Sequence, residues 1–191
     1  KILKENVGSQ DQIAAAFGGF NKISFKKDLD YTVEGLLNRE KLDFLNKSCI
    51  LIYTGIQRKS EIIEKKKIEK IKKNKLNKYL KEINRISVKA LEEFRKKNLN
   101  LKKIGKLLND QWEQKKLLDG GVSNLIIDKV TKICLENGAY GTKLLGSGGG
   151  GFVLVLIPQN KRKFLIKKLK HYKTLDFRFE NSGTNIIYQK N

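Results

Sequence analysis

The 191 residues carry 41 Lys and Arg against 20 Asp and Glu, a formal net charge of +21, with 39% hydrophobic and 32% charged residues. That balance suits a globular unit of one large or two small domains. Two cysteines are too few for a disulfide framework, and no run approaches the ~20 apolar residues of a membrane-spanning helix. In chain order, residues 1–17 read as helix in two pieces broken near Gly8. Ser9-Gln10-Asp11-Gln12 fits a capping box with Ser9 as N-cap, and Gly18-Gly19 ends the helix. Residues 20–25 read as a strand, residues 31–37 are ambiguous, and the apolar run Cys49-Ile50-Leu51-Ile52-Tyr53 reads as a buried strand. A long Lys-rich stretch, 59–97, predicts two helices with a solvated face, followed by a helix over 101–118. Ser123 is expected to cap a helix over 124–137. Strands at 139–145 and 152–157, a helix over 159–172 and strands at 175–179 and 184–188 complete the order. The fold class is therefore α+β: an antiparallel split βαβ sheet with extra helices on one face.

Between the strands at 139–145 and 152–157, five of the six positions Gly146, Ser147, Gly148, Gly149, Gly150 and Gly151 are glycine. A tight hairpin needs two or three. Five imply positive φ angles, or a backbone packed closely on another backbone or a ligand. The loop is neither a P-loop nor a Rossmann fingerprint. Asp11 falls in the first turn of a helix, where an acid complements the helix dipole whether or not it has a chemical role. Trp112 reads as a core anchor, His171 as a surface residue, and Glu92 and Glu93 as solvated carboxylates. The two distant cysteines and single histidine cannot build a zinc site. The positive charge raises nucleic-acid binding, but lysine is abundant throughout, arginine is scarce, and no RNA-recognition signature is present. The sequence contains no methionine, and Lys1-Ile2-Leu3-Lys4-Glu5 reads as the inside of an amphipathic helix. The chain is thus expected to be a piece of a longer protein. Its polar first residues lack an apolar leader core, so a cytoplasmic location is expected.

Taken together, Gly8 to Asn21, Leu51-Ile52-Tyr53-Thr54-Gly55 and Lys143 to Phe152 resemble the GHMP kinase superfamily. The likeness is greatest to the branch of heptose 7-phosphate kinases, through Trp112 to Lys116, Val122-Ser123-Asn124, and the tail Phe177-Arg178-Phe179-Glu180 with Gly183 and Ile186-Ile187-Tyr188. The resemblance implies a ferredoxin-like C-terminal domain over 48–191, and over 1–47 the remnant of an ATP-binding domain like ribosomal protein S5. It implies ATP and Mg²⁺ as cofactors, a sugar phosphate as substrate, and phosphorylation of an anomeric hydroxyl, with no membrane partner. Asp11 would take the acceptor proton. Gly8, Gln10, Gln12, Thr54 and Arg58 would contact the sugar phosphate, and Gly146 to Gly151 would be the third family motif, its amides facing anionic oxygens. The Gly/Ser loop that cradles ATP, and the serine and glutamate that hold Mg²⁺, have no counterpart here and belong before Lys1. The fragment alone is expected to be inactive, with no metal ligands of its own. A galactokinase-like or other sugar 1-kinase, a basic RNA-binding module and a non-catalytic relative remain open as alternatives.

Overall fold

A computed structural model describes residues 8–26, 30–57, 68–71 and 73–188. The first helix, α1 (Gln10–Phe17), leads into an antiparallel hairpin of β1 (Asn21–Phe25) and β2 (Tyr31–Gly35), with Ile23 opposite Val33. α1 stops where expected. Gly18 takes φ 64° and ψ −179°, a region practically reserved for glycine, and its N–H closes onto the Ala14 carbonyl at 2.9 Å. Its start differs from the expected capping box. Ser9 is already helical, with φ −83° and ψ 0°, so its hydroxyl caps nothing. Instead Gln12, its amide oriented to donate, reaches the Gly8 carbonyl at 2.9 Å.

α2 (Arg39–Ser48) has no counterpart among the predicted elements. Asn38 starts it by accepting the Lys41 N–H at 3.0 Å, and only Leu42 and Leu45 give its buried face large apolar side chains. β3 (Cys49–Tyr53) follows directly. The Lys-rich stretch is interrupted at Asn74, whose φ of 56° is left-handed, before α3 (Asn77–Arg95). α4 (Leu101–Lys116) is capped by Asn100. α5 (Leu125–Glu136) is capped by Asn124 rather than Ser123: Asn124 Oδ1 accepts the Ile126 and Ile127 N–H groups at 3.1 Å, while the Ser123 hydroxyl donates to Asp128. β4 (Gly141–Leu144), β5 (Phe152–Leu156), α6 (Gln159–Lys168) and β6 (Lys173–Leu175) complete the order.

The four later strands form one antiparallel sheet in the order β4-β5-β3-β6. Ile50 faces Val155, Leu51 faces both Leu154 and Leu175, and Leu144 faces Val153. Alternation then sorts the strands by face. Ile50, Ile52, Val153, Val155 and Leu144 pack with Ile127, Val130 and Cys134 of α5 and Leu165 of α6. Cys49 and Leu156 point the other way, to Leu45 of α2 and Leu101 and Ile104 of α4, with Phe20, Phe94, Phe177 and Phe179 around them. Helices therefore cover both faces, not one. The cause is visible in the runs Cys49–Tyr53 and Phe152–Leu156, which are apolar at every position and so bury both sides.

α4 contributes to both cores, Trp112 (2% exposed) to the first and Ile104 to the second, because it lies along the outer edge of β4. There Asn109 acts as a missing neighbour strand: its Nδ2 donates to the Tyr140 carbonyl at 3.2 Å and its Oδ1 accepts the Thr142 N–H at 2.8 Å. Gly105 permits this approach, since a Cβ there would come within 2.5 Å of Tyr140.

Two further expectations are corrected. The predicted strands at 175–179 and 184–188 reduce to β6, which ends at Leu175, and residues 176–188 are irregular. Phe177 and Phe179 bury their rings without pairing, while Ile186, Ile187 and Tyr188 stay exposed, with no strand beside them among the described residues. Glu93 is not solvated. It lies on the inward side of α3, three residues after Ala90, with its Oε1 on Lys96; its buried Oε2 has no hydrogen-bond partner among the described residues.

Candidate active site

The glycine loop is fastened on two sides. From the β3 side, the Thr54 N–H and hydroxyl both donate to the Gly151 carbonyl at 2.9 Å, and the Gly151 N–H donates to the Ile56 carbonyl at 3.0 Å. From the turn before α5, the Gly149 N–H donates to the Val122 carbonyl at 2.9 Å, and Asn124 Nδ2 donates to the Gly149 carbonyl at 3.0 Å. Lys115 Nζ donates to the Gly146 carbonyl. Four loop glycines, Gly146, Gly148, Gly149 and Gly151, have positive φ. Gly148 and Gly150 are needed for closeness as well: a Cβ on Gly148 would come 2.8 Å from Val122 Cα, and one on Gly150 would come 2.6 Å from the Ile56 carbonyl. Much of the glycine content is thus explained by backbone seated on backbone. What the fastening leaves over is a row of amides. Among the described residues, the N–H groups of Gly146, Ser147, Gly148 and Gly150 have no protein acceptor.

The turn that carries Val122 is itself braced. Asp119, with a side chain 10% exposed, receives Lys70 Nζ at 2.6 Å on Oδ2 and the Gly121 N–H at 2.9 Å on Oδ1, and its carbonyl takes the Val122 N–H at 3.1 Å. Lys70 sits in the helical turn 68–71, so one buried acid joins that turn to the bracket under the loop. Next to the loop on β4, the half-buried Lys143 donates to Gln111 Oε1, and its burial lowers its pKa by disfavouring the charged form.

Asp11, Gly8, Gln10 and Gln12 lie at the exposed start of α1, and no ion pair reaches Asp11 among the described residues. Thr54 is buried and engaged with Gly151 as described. Arg58 lies outside the described residues. The structure therefore brings Thr54 and the glycine loop together, while α1 is fastened elsewhere: no hydrogen bond joins it to the loop among the described residues. Lys115, Asp119 and the double-duty Asn124 are the site's supports that sequence reasoning did not assign. Asp119-Gly120-Gly121 reads as a simple break, and an Asx turn is the only local sign that the acid is structural. Among the described residues no group of three His, Cys, Asp or Glu gathers as a metal site. A separate cavity of about 480 Å³ opens between the hairpin, α3, α4 and the sheet, lined by apolar groups such as Phe20, Leu91, Phe94 and Leu107; neither Asp11 nor any loop residue lines it.

Comparison with known proteins places this arrangement. The chain is 30% identical over 179 residues to the D-glycero-alpha-D-manno-heptose 7-phosphate kinase of Campylobacter jejuni, covering 92% of this chain. The match spans 52% of that relative's length, about half of it. In structure it is similar to L. major mevalonate kinase in complex with R-mevalonate, at TM-score 0.72 and 20% identity, over 95% of this chain and 55% of that one. It is also similar to a D-glycero-D-manno-heptose 1-phosphate kinase of Bacteroides thetaiotaomicron, at TM-score 0.59 and 22% identity, over 96% of this chain and 49% of that one. At those identities the two structures speak for the fold. Residues 87–174 match the family described as GHMP kinases C terminal. Residues 87–174 thus belong to the GHMP kinases as their C-terminal domain.

Proposed function

We propose that the chain is the C-terminal part of an ATP-dependent sugar-phosphate kinase whose acceptor is the anomeric hydroxyl of a heptose 7-phosphate. The observation that carries this reading is the glycine loop: rigidly bracketed, with the amides of Ser147, Gly148 and Gly150 left without protein acceptors. Such a row of N–H groups suits anionic oxygens. ATP supplies the phosphoryl group when bound, and the loop borders the place where its charge is handled. Among the described residues no carboxylate cluster gathers for Mg²⁺, and in this reading the metal is held by the upstream part. Asp11 is exposed at the first turn of α1 and is free to accept the proton of the attacking hydroxyl. Gly8, Gln10, Gln12, Thr54 and Arg58 complete the sugar-phosphate pocket in this reading, with Thr54 acting through the loop it holds.

Counting β3 as the first strand of its sheet, the order β4-β5-β3-β6 is the arrangement of a ferredoxin-like split βαβ unit. We take residues 48–191 as that domain and 1–47 as the end of an S5-like ATP-binding domain. Free buried thiols suit a cytoplasmic protein. An RNA-binding role has less support, because RNA-recognition sheets keep one face open for stacking bases and both faces are covered here.

The test uses the chain joined to its upstream half, with ATP turnover measured against heptose 7-phosphate and galactose. The heptose phosphate is expected to be phosphorylated. Asp11→Asn is expected to lose about 100-fold or more in kcat with nucleotide binding unchanged. Normal turnover in that variant would remove Asp11 from the mechanism. Turnover of galactose alone would move the acceptor, and turnover of neither would sink the kinase reading.

A further inference from the structure

By its own means α1 is a weak helix. It has eight residues, one buried side chain (Ile13) and no side-chain cap. Isolated helices of this length do not persist in water. Its C-terminal end is held by the tail after β6. The Gly19 N–H donates to the Glu180 carbonyl at 2.6 Å, and the Thr184 N–H donates to the Ala16 carbonyl at 3.1 Å. The Ala16 carbonyl is one of those a helix end leaves without a partner of its own.

Two glycines face each other across this junction. A Cβ on Gly183 would overlap the Ala16 carbonyl oxygen, and one on Gly18 would come 2.5 Å from the Ser182 carbonyl carbon. Glu180 Oε1 accepts the Ser182 N–H at 2.9 Å and fixes the bend between the two bonds to α1. Just upstream, the same tail touches α2 and Phe20 of the N-terminal part, and Arg162 holds it to the sheet domain. The Phe179 N–H donates to Asn46 Oδ1 at 2.9 Å, the Phe179 ring stands 5.6 Å from that of Phe20, and Arg162 of α6 pairs with Asp176. The tail therefore ties the helix that carries Asp11 to the domain that carries the glycine loop. Among the described residues the tail pairs with no strand, and the glycine at 183 fits its seat on α1.

We propose that residues 180–184 are a strap that positions α1, and that Gly183 is a positioning residue because only glycine lets the strap seat. The consequence for Asp11 rests on the phosphotransfer reading; the strap itself does not. In the chain joined to its upstream half, Gly183→Ala adds the forbidden Cβ. Thr184→Pro removes one hydrogen bond without adding a Cβ at 183, and so keeps the test open should the first variant fail to fold. In both variants, hydrogen exchange of amides 13–19 is expected about tenfold or more faster than in the parent, with the β3 and β5 amides unchanged. Ile187→Ala, 98% exposed beyond the strap, is expected to match the parent. Sugar phosphorylation should lose about tenfold in kcat, with the nucleotide KM unchanged. Unchanged exchange in both variants overturns the strap. Faster exchange with an unchanged kcat overturns the positioning role. If the parent phosphorylates no sugar, exchange still decides the strap, and only the phosphotransfer reading falls.

Discussion

Gly148 carries two constraints at once. Its φ of 124° lies in the left-handed half of conformational space, and its Cα sits where a Cβ would meet Val122 Cα at 2.8 Å. Val122 cannot retreat cheaply, since it is fully buried and its carbonyl holds Gly149. Gly148→Ala is therefore expected to cost about 2–4 kcal/mol. Gly146 has a positive φ of 72° but open space around it, so Gly146→Ala should cost about 1–2 kcal/mol, for conformation alone. Urea unfolding of the two variants checks the ranking, and equal losses would mean that the close approach to Val122 has no energetic weight. The sequence displays the glycine cluster plainly, and with it the need for an unusual backbone. It does not display Val122 and Ile56, because each meets the loop from a segment distant in the chain. The same holds for Asp119, whose partner Lys70 is one lysine among many on a Lys-rich stretch.

Among the elements, α4 shows how a side chain can close a sheet. Asn109 gives the outer edge of β4 one donor and one acceptor where no strand lies. Asn109→Ala leaves the Tyr140 carbonyl and the Thr142 N–H unpaired in a half-buried place. The expected loss is about 2 kcal/mol, with faster hydrogen exchange at Thr142 than at the central strand β3. Wild-type exchange at Thr142 would show that water replaces the side chain. The helices with a long apolar stripe were legible from periodicity, as were β3 and β5 from their unbroken apolar runs. α2 was not, because just two large apolar side chains, Leu42 and Leu45, mark its buried face among polar neighbours. The tail was over-read as strand because aromatic and β-branched residues look alike whether they pair or simply fill a core. Phe177 and Phe179 do the latter.

On the scale of the molecule, the sheet divides two cores, and each holds one free thiol: Cys134 on the α5–α6 side and Cys49 on the other. Burial pushes both thiols up from the ordinary 9.0 to about 12. Below about pH 9 the folded and unfolded chains both keep the thiols protonated, and their contribution to stability is complete. Above it the unfolded chain ionises while the folded one does not, so stability falls from pH 9 toward 12, by about 1.4 kcal/mol per pH unit for each thiol. Urea midpoints across pH 8.5–10.5, compared with a Cys49→Ala, Cys134→Ala double variant, isolate this contribution; a difference that stays flat with pH would place the thiols in contact with solvent. The glycine loop and the resemblance it carries could be read from the chain, and Asp11 could be named as a candidate, but the tie from the tail to α1 could not, since its hydrogen bonds run through main-chain atoms such as those of Ala16 and Thr184. That tie also imposes an order in time. A ribosome makes α1 before residues 180–184, by on the order of ten seconds at ordinary elongation speeds. Through that interval the nascent helix waits without the partner that finishes it, and chains released before Thr184 never acquire it.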